Sequence, residues 1–182
     1  NMERLTGAIS LNPNFFDKKL NIQLNVKGIY NTNRFADTGA IGMATQYDPT
    51  QPIYMDGNPY GNGYFMYMKS GNNPTPVDIG LANPVSILDS KHDESTVYRS
   101  IGNAQIDYKF HFLPELRANL NLGYDVSKSE GDVIIEDNAP MTWCQGNYKT
   151  GFGENSSYYQ LKRNTLLDFY LNYAKEFGAH HV

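Results

Sequence analysis

The chain has 182 residues and a net charge of −4, from 15 Lys and Arg residues against 19 Asp and Glu residues. This balance provides no basic patch large enough for a phosphate backbone, so we expect no nucleic-acid partner. The apolar runs fall short of the roughly 18 residues that a transmembrane helix needs, whereas the alternating strands of a membrane β-barrel would escape that test.

Apolar and polar residues alternate with period 2 in five segments, as expected for strands whose successive side chains point to opposite faces. In chain order, the segments are residues 5–12, 20–31, 101–110, 116–127 and 164–173. The fifth segment is less regular, because Leu166 and Tyr170 fall on its polar side. A further strand is predicted to begin near Ala179. The sequence thus predicts an all-β fold with about five to six long antiparallel strands.

Short and long connections alternate between these segments. Short turns are predicted at residues 12–19, 110–115 and 175–180, and long loops at residues 32–96 and 129–157. This alternation is typical of an outer-membrane barrel, with short turns in the periplasm and long loops outside the cell. Residues 1–182 are therefore predicted to form part of a single β-barrel domain, with residues 32–96 and 129–157 as two extracellular loops. We expect the chain to be an internal piece of a longer polypeptide.

The apolar face of the strands meets either a lipid bilayer or a protein core, and both interpretations explain the alternation. A soluble secreted β-sandwich that binds carbohydrate or protein would bury this face between two sheets. Soluble strands average about 5–6 residues, however, whereas twelve residues at about 3.3 Å each reach about 40 Å. At a tilt of about 45° this length projects to about 28 Å, close to the roughly 25 Å apolar band of a membrane barrel. Strand length therefore favours the barrel.

The cost of placing charge in lipid predicts which face is which. Arg117 at the bilayer midplane would cost about 2–4 kcal/mol, whereas a hydrated lumen accommodates it. The predicted lumen-facing residues are Asn21, Gln23, Asn25, Arg117, Asn119 and Asp125. The predicted lipid-facing residues are Leu20, Ile22, Leu24, Leu116, Leu120 and Leu122. The polar set offers either a track for a hydrated solute or contacts for one another, water and a plug.

Several longer stretches form a recognisable series along the chain. They read FFDKKLNIQLNVKGIY, TGAIGMATQYDPTQPIY, GNGYF, ANPVSILD, RSIGNAQIDYKFHFLPELRANLNLGYD and NTLLDFYLNYAKEF. In content and order they resemble the SusC/RagA family, the TonB-linked outer-membrane transporters of Bacteroidota. The DPTQPIY loop and the hairpin around FHFLPE are the most specific parts of the resemblance.

The resemblance implies a plugged barrel of about 22 strands in the bacterial outer membrane, of which this chain is an internal fragment. Such a barrel is surrounded by outer-membrane lipid and imports oligosaccharides, sometimes peptides, with a SusD-like lipoprotein as a lid. TonB supplies the energy, through parts of the parent chain that this stretch lacks. Transport is conformational in this family, because pulling by TonB remodels the plug.

Aromatic residues in the two long loops are candidates for contacts with a substrate or a partner, because rings present large rigid surfaces at low entropic cost. The candidates are Tyr54, Tyr60, Tyr64, Phe65 and Trp143. The alternative is that they pack the loops against their neighbours and the barrel rim.

No catalytic, metal or cofactor site is predicted. The four His residues lack metal-ligand spacing, and Cys144 has no evident base beside it. A hydrolase would need a convergent pair of carboxylates, and none can be placed from the sequence. We therefore expect a protein that is not an enzyme.

Overall fold

The computed structural model describes residues 1–77, 80–144, 150–177 and 180–181. The strands are β1 (Met2–Leu11), β2 (Asn14–Phe15), β3 (Leu20–Phe35), β4 (Lys91–Lys109), β5 (Leu116–Ile135), β6 (Glu154–Tyr173), β7 (Glu176–Phe177) and β8 (His180–His181). The helices are α1 (Gly39–Gln46), α2 (Pro84–Ser90) and α3 (Pro140–Cys144), with a single 3-10 turn at Gly61–Gly63.

Six strands form one sheet in the order β1-β3-β4-β5-β6, with the short β2 paired to β3. Neighbouring long strands follow one another along the chain, so short hairpins and long loops connect antiparallel partners. The five long strands run from 10 to 20 residues, well beyond the soluble mean of about 5–6. These features confirm the predicted all-β fold. The sheet is not closed, and β1 and β6 are its edges.

The long strands extend into the segments predicted as loops. β3 continues to Phe35 and β4 begins at Lys91, so residues 36–90 form the first long connection. β5 and β6 leave residues 136–153 as the second. Residues 78–79 and 145–149 of these connections lie outside the described residues, as does Ala179, the predicted start of a further strand. The extracellular position of both segments stays a prediction.

Three short helices lie in the long connections, where the sequence predicts only loop. α2 begins with a clear signal, because the side chain of Asn83 accepts a hydrogen bond from the Val85 amide (3.0 Å) and Pro84 occupies the first turn. α1 has only eight residues and no side-chain cap, and it packs against α2. No helix in the described part of the chain has the length and apolar character needed to cross a membrane.

The contacts divide the chain into two compact units. The loop unit comprises Asn1–Met2, Asn33–Ser95 and Glu130–Tyr158, and the wall unit comprises Glu3–Thr32, Thr96–Ser129 and Tyr159–Val182. The loop unit has a small apolar core of Ala40, Ala82 and Ile87, with Met43 and Met141 against it.

The wall unit is a strand surface with little buried core. Every residue of β1 is exposed, as are almost all residues of β6. An aromatic cluster surrounds two of its short turns. The rings of Phe16 and His111 meet edge-on with 5.9 Å between their centroids, and the ring centroids of Phe110 and Phe112 are 5.2 Å apart. The first of these turns contains three consecutive left-handed residues, with φ near 54°, 52° and 66° at Phe16, Asp17 and Lys18.

Candidate functional site

One face of the wall unit carries polar side chains that bond from strand to strand. The Ser10 hydroxyl of β1 donates to the side-chain oxygen of Asn25 of β3 (2.5 Å), and the side-chain nitrogen of Asn25 donates to the side-chain oxygen of Asn103 of β4 (3.1 Å). Further along, the guanidinium of Arg99 on β4 donates two hydrogen bonds to the carboxylate of Asp125 on β5, with nitrogen–oxygen distances of 2.8 and 2.6 Å. Two of the predicted lumen-facing residues, Asn25 and Asp125, thus belong to cross-strand polar pairs.

The alternation of side chains along each strand shows which face carries the other predicted lumen-facing and lipid-facing residues. Tyr30 of β3 packs against Tyr98 of β4, with 5.1 Å between the ring centroids, and the Ser100 hydroxyl, two residues on, forms a hydrogen bond with the Tyr124 hydroxyl of β5 (3.1 Å). Since residues two apart share a face, all six predicted lipid-facing leucines and isoleucine lie on the face of Tyr30 and Tyr124. By the same rule, all six predicted lumen-facing residues lie on the face of Asn25 and Asp125. What each face meets stays a prediction.

A polar cavity of about 480 Å³ lies on the second of these faces, near the short turns. Arg117 and Asn119 line it together with Asp107, Lys109 and Tyr170. This position explains why Tyr170 breaks the alternation of β6, since its ring belongs to the polar wall. Leu166 also lies on this face, against Gly123, where a Cβ would come 3.3 Å from the Leu166 Cβ. The glycine therefore leaves room for an apolar side chain among polar ones.

The opposite face exposes a large apolar surface. On β1, Leu5 and Ile9 are 71% and 67% exposed, and on β6, Leu167 and Phe169 are 69% and 61% exposed. Monomeric soluble proteins rarely leave contiguous apolar patches of this kind in water.

In the loop unit, the predicted aromatic candidates form two ring pairs with different surroundings. Tyr54 is 61% exposed, and its ring centroid lies 5.4 Å from that of Tyr64. The Tyr64 hydroxyl donates to the Asp89 carboxylate at 2.8 Å. This hydrogen bond, together with partial burial and the nearby charge, raises the pKa of Tyr64 to about 12. The first pair thus presents one open ring beside one that is fixed in position.

The second pair joins the two long connections. The Tyr60 ring meets the half-buried Trp143 edge-on at 5.1 Å, and the indole nitrogen of Trp143 donates to the Asn138 side chain (2.9 Å). The side-chain amide of Asn138 in turn donates to the Pro59 backbone carbonyl (3.0 Å). Asn138 has a φ of 60°, the left-handed conformation that Asn tolerates better than most residues. Tyr60 and Trp143 therefore have packing roles whether or not they also contact a ligand.

Phe65, the remaining candidate, belongs to a third group of rings. Its centroid is 5.3 Å from that of Tyr67, which lies 6.0 Å from Tyr47. Burial, with smaller effects from Tyr67 and Asp48, raises the pKa of Tyr47 to about 12. Phe65 is half-buried in this group.

Sequence reasoning missed several polar residues that hold the loop unit together. Lys91 and Asp37 form an ion pair with 2.8 Å between the ammonium and the carboxylate. The hydrogen bond from Lys91, helped by the Gly39 amide, holds the pKa of Asp37 below its usual value although burial opposes this. An Asp two residues before the first residue of a helix and an Asn directly before a proline were the available signals, and Asp37 and Asn83 fit them.

The described residues contain no group of three or more His, Cys, Asp or Glu side chains placed to hold a metal ion. The expectation of no metal or catalytic site stays a prediction.

Comparison with known proteins identifies the family. No family model matches the chain. The chain is 34% identical, over 98% of its length, to the TonB-dependent receptor SusC of Bacteroides thetaiotaomicron, and it spans 18% of that receptor's length. The similarity covers all the stretches that resemble the SusC/RagA family, and it confirms that resemblance. By this similarity the chain is SusC-like and corresponds to a fragment of a TonB-dependent receptor, a β-barrel protein of the bacterial outer membrane.

Proposed function

We propose that this chain contributes wall strands and outer loops to a transporter that imports oligosaccharides or other large nutrients, such as peptides. In this proposal, outer-membrane lipid surrounds the wall, a SusD-like lipoprotein covers the outer side, and TonB supplies energy through other parts of the receptor. The chain takes part in no covalent chemistry.

The contrast between the two faces of the wall unit carries the proposal. On one face, cross-strand pairs such as Arg99 with Asp125 keep charged and amide groups bonded to each other, and such a face suits a hydrated lumen. On the other, aliphatic residues such as Leu5 and Leu167 are largely exposed, and such a face suits lipid. A β-sandwich would instead have a second sheet over the apolar face, and the described residues offer only the two-stranded hairpin β7–β8 besides the main sheet.

The open ring of Tyr54 makes it the best candidate for contact with a sugar ring or the lid. Its neighbour Tyr64 is held by Asp89, so the pair presents a firm aromatic surface. Binding to such a preorganised surface loses little conformational entropy.

The experiment uses cells that express the full receptor containing this chain. Uptake of a mixture of oligosaccharides and peptides is compared between wild-type cells, cells lacking the receptor, and receptor-containing cells lacking TonB. We expect the receptor in the outer-membrane fraction, a SusD-like lipoprotein that co-purifies with it, and uptake that requires both receptor and TonB. Unchanged uptake without the receptor contradicts the transport proposal. Nutrient turnover by purified receptor points instead to an enzyme.

A further inference from the structure

The apolar face of the wall unit contains a groove of about 440 Å³, and its origin lies in two glycines. Gly7 of β1 and Gly28 of β3 line it, and nothing lies within 4 Å of a Cβ built on either residue. Neither glycine has a positive φ, so the backbone does not require glycine at these positions. The groove therefore exists because two side chains are missing from an otherwise regular strand surface.

Aromatic rings border the groove. Tyr30 and Tyr98 line it, with their ring centroids 5.1 Å apart and the rings tilted by 49°. Leu5 and Val126 add aliphatic surface. Its volume lies within the range of small-molecule pockets, about 300–1,000 Å³, and these side chains offer it an apolar lining.

The groove opens on the face that the proposed function assigns to lipid, and the inference rests on that assignment. The groove shares this face with Tyr30 and Tyr98. Arg99 also lines it, but the guanidinium of Arg99 is held by Asp125, which does not line the groove. Within a bilayer, an apolar recess in a barrel wall is adjacent to hydrocarbon, and apolar cavities of this kind stay dry. Its natural occupant is therefore a hydrocarbon chain rather than water or a polar solute.

The ammonium of Lys128 fixes the chemistry of the occupant, because the other charged lining residue, Arg99, is paired with Asp125. Lys128 of β5 lines the groove, and its ammonium lies 5.7 Å from the centre of the Tyr159 ring. Long basic side chains on a lipid-facing surface extend toward the headgroups, where they attract anionic lipids, and Tyr rings favour the same interface. Lys128 lies beyond Val126 in the direction of the long loop after β5, so the headgroup would lie at that end.

We propose that this groove binds one acyl chain of a phosphate-bearing membrane lipid, with the lipid phosphate beside the ammonium of Lys128. The chain would lie over Gly7 and Gly28, against the rings of Tyr30 and Tyr98. Because no side chain has to move for the recess to form, the site is preorganised for a flexible ligand.

The test measures lipid retained by the delipidated full-length receptor in detergent, by native mass spectrometry, with phosphatidylglycerol and phosphatidylcholine as probes. The Gly7→Val, Gly28→Val double variant fills the groove with residues that favour strands, and Ala8→Val on the opposite face of β1 is its matched control. We expect at least tenfold weaker binding of one phosphatidylglycerol in the filled variant and no change in the control. Lys128→Gln should weaken the binding of phosphatidylglycerol about fivefold, the effect of one basic group near an anionic surface. Binding of phosphatidylcholine should weaken by less, because its choline cation already offsets the charge of the phosphate.

The proposal is overturned if the filled variant retains phosphatidylglycerol within twofold of wild type. It is also overturned if Lys128→Gln keeps the wild-type preference for phosphatidylglycerol over phosphatidylcholine. A change of oligomeric state in the filled variant would instead identify a second receptor copy as the occupant. Gly28→Ala, a smaller filling, keeps the test decisive if the double variant fails to fold. Fractionation and nutrient uptake are measured separately on wild-type receptor, so failure of the proposed function is distinguishable from failure of the lipid site.

Discussion

Replacing Leu24 by Arg tests which face of the wall meets lipid, because a matched position lies next to it. Leu24 is 36% exposed on the apolar face, and its neighbour Gln23 is exposed on the polar face of the same strand. In water, both substitutions would affect exposed positions and change stability by no more than about 0.5 kcal/mol. In a bilayer only the first places a guanidinium in hydrocarbon.

The depth of Leu24 gives the expected size of the effect. It lies four residues from Leu20, near the short turn, and six from Tyr30, near the loop end of the apolar face. At about 3.3 Å per residue and a tilt of about 45°, these separations project to about 9 and 14 Å. Leu24 therefore lies near the middle of an apolar band of about 25 Å, where Arg costs about 2–4 kcal/mol. That free energy corresponds to a factor of about 30–900 in the folding equilibrium.

The assay compares Leu24→Arg with Gln23→Arg in the full receptor. The readouts are the amount of folded receptor in the outer-membrane fraction and the thermal unfolding midpoint in lipid nanodiscs. We expect Leu24→Arg to lower both, and Gln23→Arg to stay close to wild type. Equal behaviour of the two variants would refute the assignment of the faces, and a larger loss from Gln23→Arg would reverse it.

Three further predictions concern the loop unit. Asp37→Asn should destabilise it by about 0.5–1 kcal/mol at neutral pH, the range for ion pairs that water partly screens. Because the folded pKa of Asp37 lies below 3.8, the contribution of its pair with Lys91 is complete above that pH and is lost as the pH falls further, so thermal unfolding of wild type and variant should converge in acid. Asp89→Asn should lower the pKa of Tyr64 from about 12 toward 10, measured by NMR of ¹³C-labelled tyrosine, and an unchanged value would contradict the role of the hydrogen bond. Asn138→Gly keeps the left-handed backbone but removes two side-chain hydrogen bonds. The free energy of local opening should fall by about 1–3 kcal/mol, so hydrogen exchange of residues 136–144 and 150–153 should become faster. Unchanged exchange would show that the ring contacts alone hold these residues in place.

The strands could be predicted where the two sides of the sheet have different surroundings. Residues 20–31 and 116–127 alternate because one face is apolar and the other polar, and the structure has strands there. The first residues of β4, beginning KHDEST, are polar on both faces and carry no such alternation. Their pairing depends on partners far along the chain, such as Ser95 with Asn33 (3.1 Å), and no local pattern reveals that.

The candidate site could be predicted only in part for the same reason. Residues two apart in a strand share a face, so the predicted lumen-facing and lipid-facing residues could be sorted from the sequence. The groove was not, because Gly7 and Gly28 are 21 residues apart and only the pairing of β1 with β3 brings both to one recess. Asn138 was missed because an isolated Asn in a loop has many possible partners, and its bonds to Trp143 and Pro59 depend on the tertiary fold.

The polar face has a second consequence, for the register of the sheet. Contacts between aliphatic side chains and lipid are non-directional, so the apolar face cannot by itself distinguish strand pairings that differ by two residues. The Arg99–Asp125 pair and the Ser10–Asn25–Asn103 chain are directional and require particular residues to be opposite each other. A slip of one residue would also turn these side chains to the apolar face, where an arginine costs several kcal/mol in a bilayer. The residues proposed to line the lumen therefore also select the strand pairing that creates it.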